Sequence, residues 1–410
     1  MATETHPAAP RAVRGPVRPG ERALAPDLAR GAMLLIIALA NSASVFFATG
    51  PGLDKTPHGA EGGYTVFLFL FLFVHSRGIP LFAIMFGYAL VQLARRQEAA
   101  GSTPAAVRRV LVRRNAWLFV FGLVHGILLF AGDILGAYGL VGIVFTLVLL
   151  RRGDRLYRVP LWYLGFAACA VVVLAAVVVT GLATGNPGLS TAPTQDSPSM
   201  AAGSFGAAVA DRLTEWPGTV LSMLPFILFV WVGAWAARRR VLEEPAKHLR
   251  GLRLGAALGL GVAVLGGLPM GLLGGGFLTV DPAIGPAIKL LYEGSGFFGG
   301  IGYLCLFGLL AHRLSRTMAA PRDNLVVGAV AALGQRSLSG YLFQTVAWLV
   351  LASPFLLALG DGRGSTTFIA AGCGLGVWLL TVLGAYLMHR RSYRGPAEIL
   401  LRRLTYGRRR

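Results

Sequence analysis

Apolar runs of about 17–25 residues, the length a helix needs to cross about 30 Å of hydrocarbon, recur along the chain and alternate with arginine-bearing or Gly/Pro-rich stretches. They predict transmembrane helices near 31–49, 78–94, 115–131, 134–150, 159–182, 217–237, 254–276, 294–312, 338–353 and 367–388. The pattern thus gives an all-α, polytopic helical bundle of about ten spans. Two apolar runs are too short to cross. "YTVFLFLFLFV", Tyr64 to Val74, reads either as a re-entrant or interfacial segment or as the first half of a helix kinked near Gly78 and Pro80. "NLVVGAVAALG", Asn324 to Gly334, reads as lying at the cytoplasmic interface before the ninth span. Residues 1–21 form a basic tail with the composition of a disordered segment. The apolar run that follows has spanning length with nine more behind it, as expected of an uncleaved anchor. Residues 22–410 then make one transmembrane domain, with a Pro/Ser/Thr-rich outer loop at 183–215 and a basic tail at 389–410.

Composition and charge sharpen this picture. Of 410 residues, 55% are hydrophobic and 14% charged, and the mean hydropathy is +0.64, values that exclude an ordinary soluble domain. Of the 38 lysines and arginines, 33 fall in alternate inter-span segments and the two ends of the chain. By the positive-inside rule, both termini are expected on the cytoplasmic side of the membrane. The net charge of +20 is accounted for by these inner segments and anionic headgroups, so it argues for a bilayer and against nucleic acid as partner. Cys169, Cys305 and Cys373 lie in apolar spans without metal spacing and read as buried small side chains. The sequence holds no phosphate loop, zinc-binding histidine pair, nucleophile elbow or CxxC. No metal is expected. The glycines of "LGLGVAVLGGLPMGLLGGG" suit close helix packing.

Polar residues inside the spans carry the candidate chemistry, because a bilayer tolerates them only with a partner or a purpose. Counted from Arg114, His125 lies about 16 Å along its helix and Asp133 about 28 Å, while Asn41 lies about 16 Å from Arg30. Asn41 and His125 therefore share a level, and Asp133 belongs to an outer mouth, about 12 Å from His125 along a straight helix. Plainer roles stand beside these: an interhelical hydrogen bond for Asn41, a satisfied buried histidine for His125, and capping of the next helix for Asp133. The outer mouth also receives His58 from "DKTPHGAEGG", His75 and Arg77 from "VHSRGIP", and Tyr138 from "DILGAYGL". Arg77 lies between two strongly apolar runs and is expected to reach water or an anion. Near the ninth span, Arg336 marks the inner edge, and Gln344 lies about 9 Å deeper than Leu338 as glue or cavity lining.

"RALAPDLARGAMLLIIALANS", "RGIPLFAIMFGYALVQLARR", "RRNAWLFVFGLVHGILLFAGDILGAYGLVG", "LGQRSLSGYLFQTVAW" and "GPAEILLRRLTYG" resemble the YeiB-like bacterial membrane proteins (domain of unknown function 418), from about residue 22 onward. That family is similar, more distantly, to membrane acyltransferases of the glucosaminide N-acetyltransferase type and to the larger group that acylates surface sugars. In the sugar-acylating group an arginine at the start of the first span precedes a catalytic histidine; the matching positions here are Arg30 and Asn41. In the glucosaminide enzymes an asparagine fills that place and a histidine of the next outer loop acts, for which His58 is the candidate.

The resemblance implies an acyl-CoA or acetyl-CoA cosubstrate docking from the cytosol. Arg30, Arg114 and Arg336 would bind it together with Gln344, its thioester reaching the level of Asn41 and His125. His58 or His125 would be the general base or transient acyl carrier. Asn41 would donate to the oxyanion, and Asp133, His75, Arg77 and Tyr138 would line the acceptor side. The acceptor would be a cell-envelope glycan, a lipid or a small molecule. The alternatives are a transporter of a small molecule or lipid, with Asn41 and His125 as a binding or proton-relay site, and an envelope-assembly protein without turnover.

Overall fold

The computed structural model describes residues 23–47, 70, 72–186, 188, 197–274, 277–359 and 366–407. Among these, thirteen main helices form an all-α bundle: α1 (Leu24–Asn41), α2 (Gly78–Ala99), α3 (Pro104–Leu128), α4 (Leu135–Val144), α5 (Val159–Thr184), α6 (Phe205–Ser222), α7 (Ile227–Arg238), α8 (Leu249–Gly274), α9 (Gly285–Thr317), α10 (Leu325–Gln335), α11 (Ser337–Ala352), α12 (Thr366–Arg390) and α13 (Pro396–Tyr406). Eight helical stretches among the described residues are long and apolar enough to cross a membrane, and the protein is multi-pass. Two expected spans, 134–150 and 338–353, are shorter apolar helices, as is Leu325–Gln335. The first of these gains a π-helical turn at Phe145–Leu149. Most of the Tyr64–Val74 run, the first 21 residues, residues 187 and 189–196 of the 183–215 loop and the last three residues of the 389–410 tail lie outside the described residues.

The burial pattern separates lipid-facing from central helices. Trp162 and Phe166 of α5 are 80% and 71% exposed, which in a membrane protein marks a face turned to acyl chains. Cys169 is exposed on this helix. The expectation of burial therefore fails for Cys169, because most of α5 is left uncovered by the described residues, while Cys305 is buried and Cys373 half-buried. By contrast α1 is central, packing against α2, α9, α10, α11 and α12.

Glycine sets the tightest seams. In the α2–α7 pair, a Cβ on Gly87 would lie 1.8 Å from the Val230 carbonyl oxygen, and one on Gly233 the same distance from the Ile84 oxygen. Gly259 and Gly266 of the glycine-rich α8 meet α9 at Phe298 and Ser295, in line with the packing role expected of that run.

At the arginine-rich end, polar side chains lock the bundle. Asp27, 2% exposed, accepts hydrogen bonds from Arg322 (3.1 Å) and Gln335 (3.0 Å). Glu398 of α13 accepts from the backbone N–H groups of Leu338 (2.9 Å) and Ser339 (3.1 Å) and from the Ser339 hydroxyl (2.5 Å). The C-terminal motif thus supplies the cap that α11 lacks in its own sequence. Tyr406 accepts from Gln97 Nε2 at 3.4 Å, and burial pushes its phenol above the ordinary range against the pull of Arg114, Arg402 and Arg96. Glu398→Ala is expected to leave two backbone donors unsatisfied and to destabilise the protein by about 2 kcal/mol. A detergent melting curve checks this, and Glu398→Gln should recover part of the loss.

Candidate functional site

The site is built by a helix that stops and turns back. At the end of α3 the N–H groups of Leu129 and Phe130 both donate to the His125 carbonyl, at 2.8 and 3.0 Å. Arg212 of α6 donates to the Leu128 carbonyl at 2.9 Å, satisfying an acceptor that the helix leaves open and placing a cation at its negative end. Five residues on, Asp133 Oδ2 accepts the Gly136 N–H at 2.7 Å and starts α4. The capping role expected for Asp133 is therefore present.

The turn also corrects the straight-helix distance. Asp133 does not lie 12 Å from His125: its Oδ1 is 2.9 Å from His125 Nδ1, with side-chain exposures of 0% and 2%. The reason is that α3 ends at Leu128, so the chain folds Asp133 back beneath the histidine instead of carrying it onward. Gly122 makes room, since a Cβ there would lie 2.6 Å from Asp133 Oδ2 and 2.0 Å from the Gly136 nitrogen. His125 itself stands within one turn of the end of α3, so it belongs to the turn and not to the middle of the helix. The ring of Tyr341, on α11, lies 5.2 Å from the imidazole, centroid to centroid. His125 Nε2 has no hydrogen-bond partner among the described residues, and the 2.9 Å approach at Nδ1 lacks in-line hydrogen-bond geometry.

Gln344, one turn beyond Tyr341, is 1% exposed and donates to the Leu34 carbonyl of α1 at 3.3 Å, with its Oε1 unpaired. Asn41 is the last residue of α1; no hydrogen bond joins it to His125 among the described residues, and α1 packs on α10 and α12 instead of along α3. The segments do meet through the rings of Phe46 and Phe130, 5.1 Å apart. His58 lies outside the described residues.

The remaining candidates have structural partners. Arg77, 0% exposed, does not reach water: it donates to the carbonyls of His75 (2.7 Å) and Ala263 (2.5 Å) and lies 4.9 Å from the Tyr292 ring. The α8–α9 pair covers it, so Arg77 and the buried His75 line no open mouth. Tyr138, also 0% exposed, donates to the Ile79 carbonyl at 3.0 Å and stacks on Phe82. Arg336 donates to the carbonyls of Tyr393 (3.1 and 2.6 Å) and Ala332 (3.0 Å), tying down the C-terminal arm. Arg114, half-buried, bonds Asn115 at 3.4 Å, and Arg30 is half-buried on α1.

Tyr341 and Arg212 are absent from the sequence-derived set. Tyr341 shares a helix face with Gln344 by its i, i+3 spacing, and Arg212 is one of only five basic residues outside the arginine-rich segments, so each left a signal. Among the described residues no group of three His, Cys, Asp or Glu side chains could hold a metal ion.

Residues 236–408 match the family described as "Protein of unknown function (DUF418)". The chain is 26% identical over 411 aligned residues to the uncharacterized protein YeiB of Escherichia coli (strain K12), covering 94% of this chain and 96% of that one. It is 24% identical over 376 residues to the uncharacterized protein YxaH of Bacillus subtilis (strain 168), covering 85% and 83%. The matched segment contains Tyr341, Gln344 and Glu398, while His125 and Asp133 lie in the part shared with the full-length relatives. The chain thus matches the DUF418 family over residues 236–408 and is similar to YeiB over most of its length.

Proposed function

We propose that the protein is a transmembrane acyltransferase of the bacterial cytoplasmic membrane, moving an acyl group from cytosolic acyl-CoA to an acceptor on the opposite side. The observation that supports this reading is the buried His125–Asp133 pair, with Nε2 left unpartnered among the described residues. A carboxylate at Nδ1 orients the ring and stabilises its cation, leaving Nε2 to take a proton. In the step this assigns, Nε2 accepts the proton of an acceptor hydroxyl as its oxygen attacks the thioester carbonyl. The tetrahedral adduct then expels the CoA thiolate, which recovers that proton from the imidazolium. Asn41 is the amide donor assigned to the oxyanion, and Gln344, whose Nε2 donates to the Leu34 carbonyl, is assigned to the lining on the acyl-CoA side. Arg30 and Arg114 are assigned to the CoA phosphates, and Arg336, spent on carbonyls, supports the arm beside them.

A second reading, a proton-coupled carrier, draws on the same pair's near-complete burial, which suits a relay that never opens to both sides at once. One experiment separates the two. Purified protein incubated with acetyl-CoA and deacylated envelope lipids or glycans is expected to show a saturable rise in melting temperature with acetyl-CoA and acceptor-dependent release of free CoA thiol. A folded protein that shows neither overturns acyl transfer and leaves the carrier.

A further inference from the structure

A second feature stands directly over the turn. Between α6 and the end of α11 lies a small open cleft of about 30 Å³, walled by Phe46, Leu129, Phe130, Ser199, Arg212 and Ser353. Its floor is the same Leu129–Phe130 step that folds Asp133 back under His125. The walls are aromatic and aliphatic, with two hydroxyls and one cation.

Arg212 is 5% exposed. A guanidinium carries five N–H donors, and among the described residues the one hydrogen bond it makes is to the Leu128 carbonyl. The carboxylates of Asp211 and Glu215 are close enough to feel its charge, yet among the described residues none pairs with it. Glu215 is instead engaged by the Ser197 hydroxyl (3.1 Å) and by the hydroxyl and N–H of Ser199 (2.6 and 2.9 Å). A buried cation with spare donors at the wall of an apolar cleft requires an anion to complete it. The rim indicates what else that anion carries: Leu213, Leu356 and Leu357 are 53%, 50% and 58% exposed, and the Phe205 and Phe355 rings meet at 6.3 Å. Such a rim faces acyl chains in a bilayer.

We propose that this cleft seats the phosphate of an anionic membrane lipid, held by Arg212 with Ser199 and Ser353, its chains lying along the exposed leucines. Resting on the acyl-transfer reading, the inference also names the acceptor class, a phosphate-bearing lipid whose headgroup hydroxyl is delivered toward His125. Binding itself is read without turnover, so lipid capture and acyl transfer can fail separately.

The test is native mass spectrometry of the full chain from mixed micelles containing equal phosphatidylglycerol and phosphatidylcholine. The expected result is selective retention of phosphatidylglycerol by the unaltered protein, lowered about tenfold, or about 1.4 kcal/mol, in Arg212→Gln and less in Arg212→Lys. Because Arg212 also caps α3, Ser353→Trp, which fills the cleft without touching that cap, should lower retention as well. Equal retention of both lipids by the unaltered protein overturns the proposal, as does undiminished phosphatidylglycerol retention in a folded Arg212→Gln. Displacement of the lipid by millimolar glycerol 3-phosphate would assign the cleft to a soluble phosphate and overturn its assignment to a lipid.

Discussion

Gly233→Val is expected to abolish recovery of folded protein. A Cβ at this position would lie 1.8 Å from the Ile84 carbonyl oxygen, and the reciprocal contact at Gly87 has the same separation from the Val230 oxygen. The obstacle in both cases is backbone, so no rotamer change relieves it. Separating α2 from α7 by the required ångström or more empties the contacts between them, and void creation on this scale destabilises by several kcal/mol. Fluorescence-detected size exclusion of the variant should show aggregate or no peak. Gly218→Val, at a glycine whose Cβ would meet nothing, should elute normally. A monodisperse Gly233→Val peak at the unaltered position would mean that the α2–α7 seam is looser than its geometry indicates.

The second large effect concerns chemistry. His125→Gln is expected to slow acceptor-dependent release of CoA thiol by about 10²–10⁴-fold, the range of a lost general base, with a small change in melting temperature. Asp133 separates two duties. Asp133→Asn keeps an oxygen for the Gly136 N–H but removes the charge beside Nδ1, so activity falls while stability is largely retained. Asp133→Ala loses both, and a backbone donor is left buried without an acceptor, at a cost of about 1–3 kcal/mol. Equal melting temperatures for the two variants would remove the capping role. Undiminished thiol release by a folded His125→Gln would remove His125 from the reaction.

The two kinds of information differ in how legible they were. Apolar run length located the helices, because the bilayer imposes a minimum that any sequence must meet, and arginine placement marked one end of the bundle. What a linear rule cannot show is where a helix ends. Between His125 and Asp133, "GILLFAG" offers no proline or charge to stop α3, so depth counted at a constant rise carried Asp133 past His125, although the fold brings them into contact. The same blindness assigned Arg77 to a watery mouth: its partners, the Ala263 carbonyl and the Tyr292 ring, are 186 and 215 positions away. Arg336 looked like a free phosphate ligand because backbone carbonyls, which accept its hydrogen bonds, have no letter in the sequence. Glu398 was visible as part of a motif, but its duty as the missing cap of α11 required both helices to be seen together.

The central position of α1 sets the order in which this protein is completed. During synthesis α1 enters the membrane first, yet its neighbours α10, α11 and α12 emerge from the ribosome nearly three hundred residues later. Until then Asp27 lacks Arg322 and Gln335, and Gly31 lacks the Val330 backbone that packs on it. The closing event is later still, because Glu398, which caps α11, follows α12 in the chain. A nascent chain stalled before α10 would be inserted but unfinished, with an open seam at its first helix that membrane quality-control proteases can recognise.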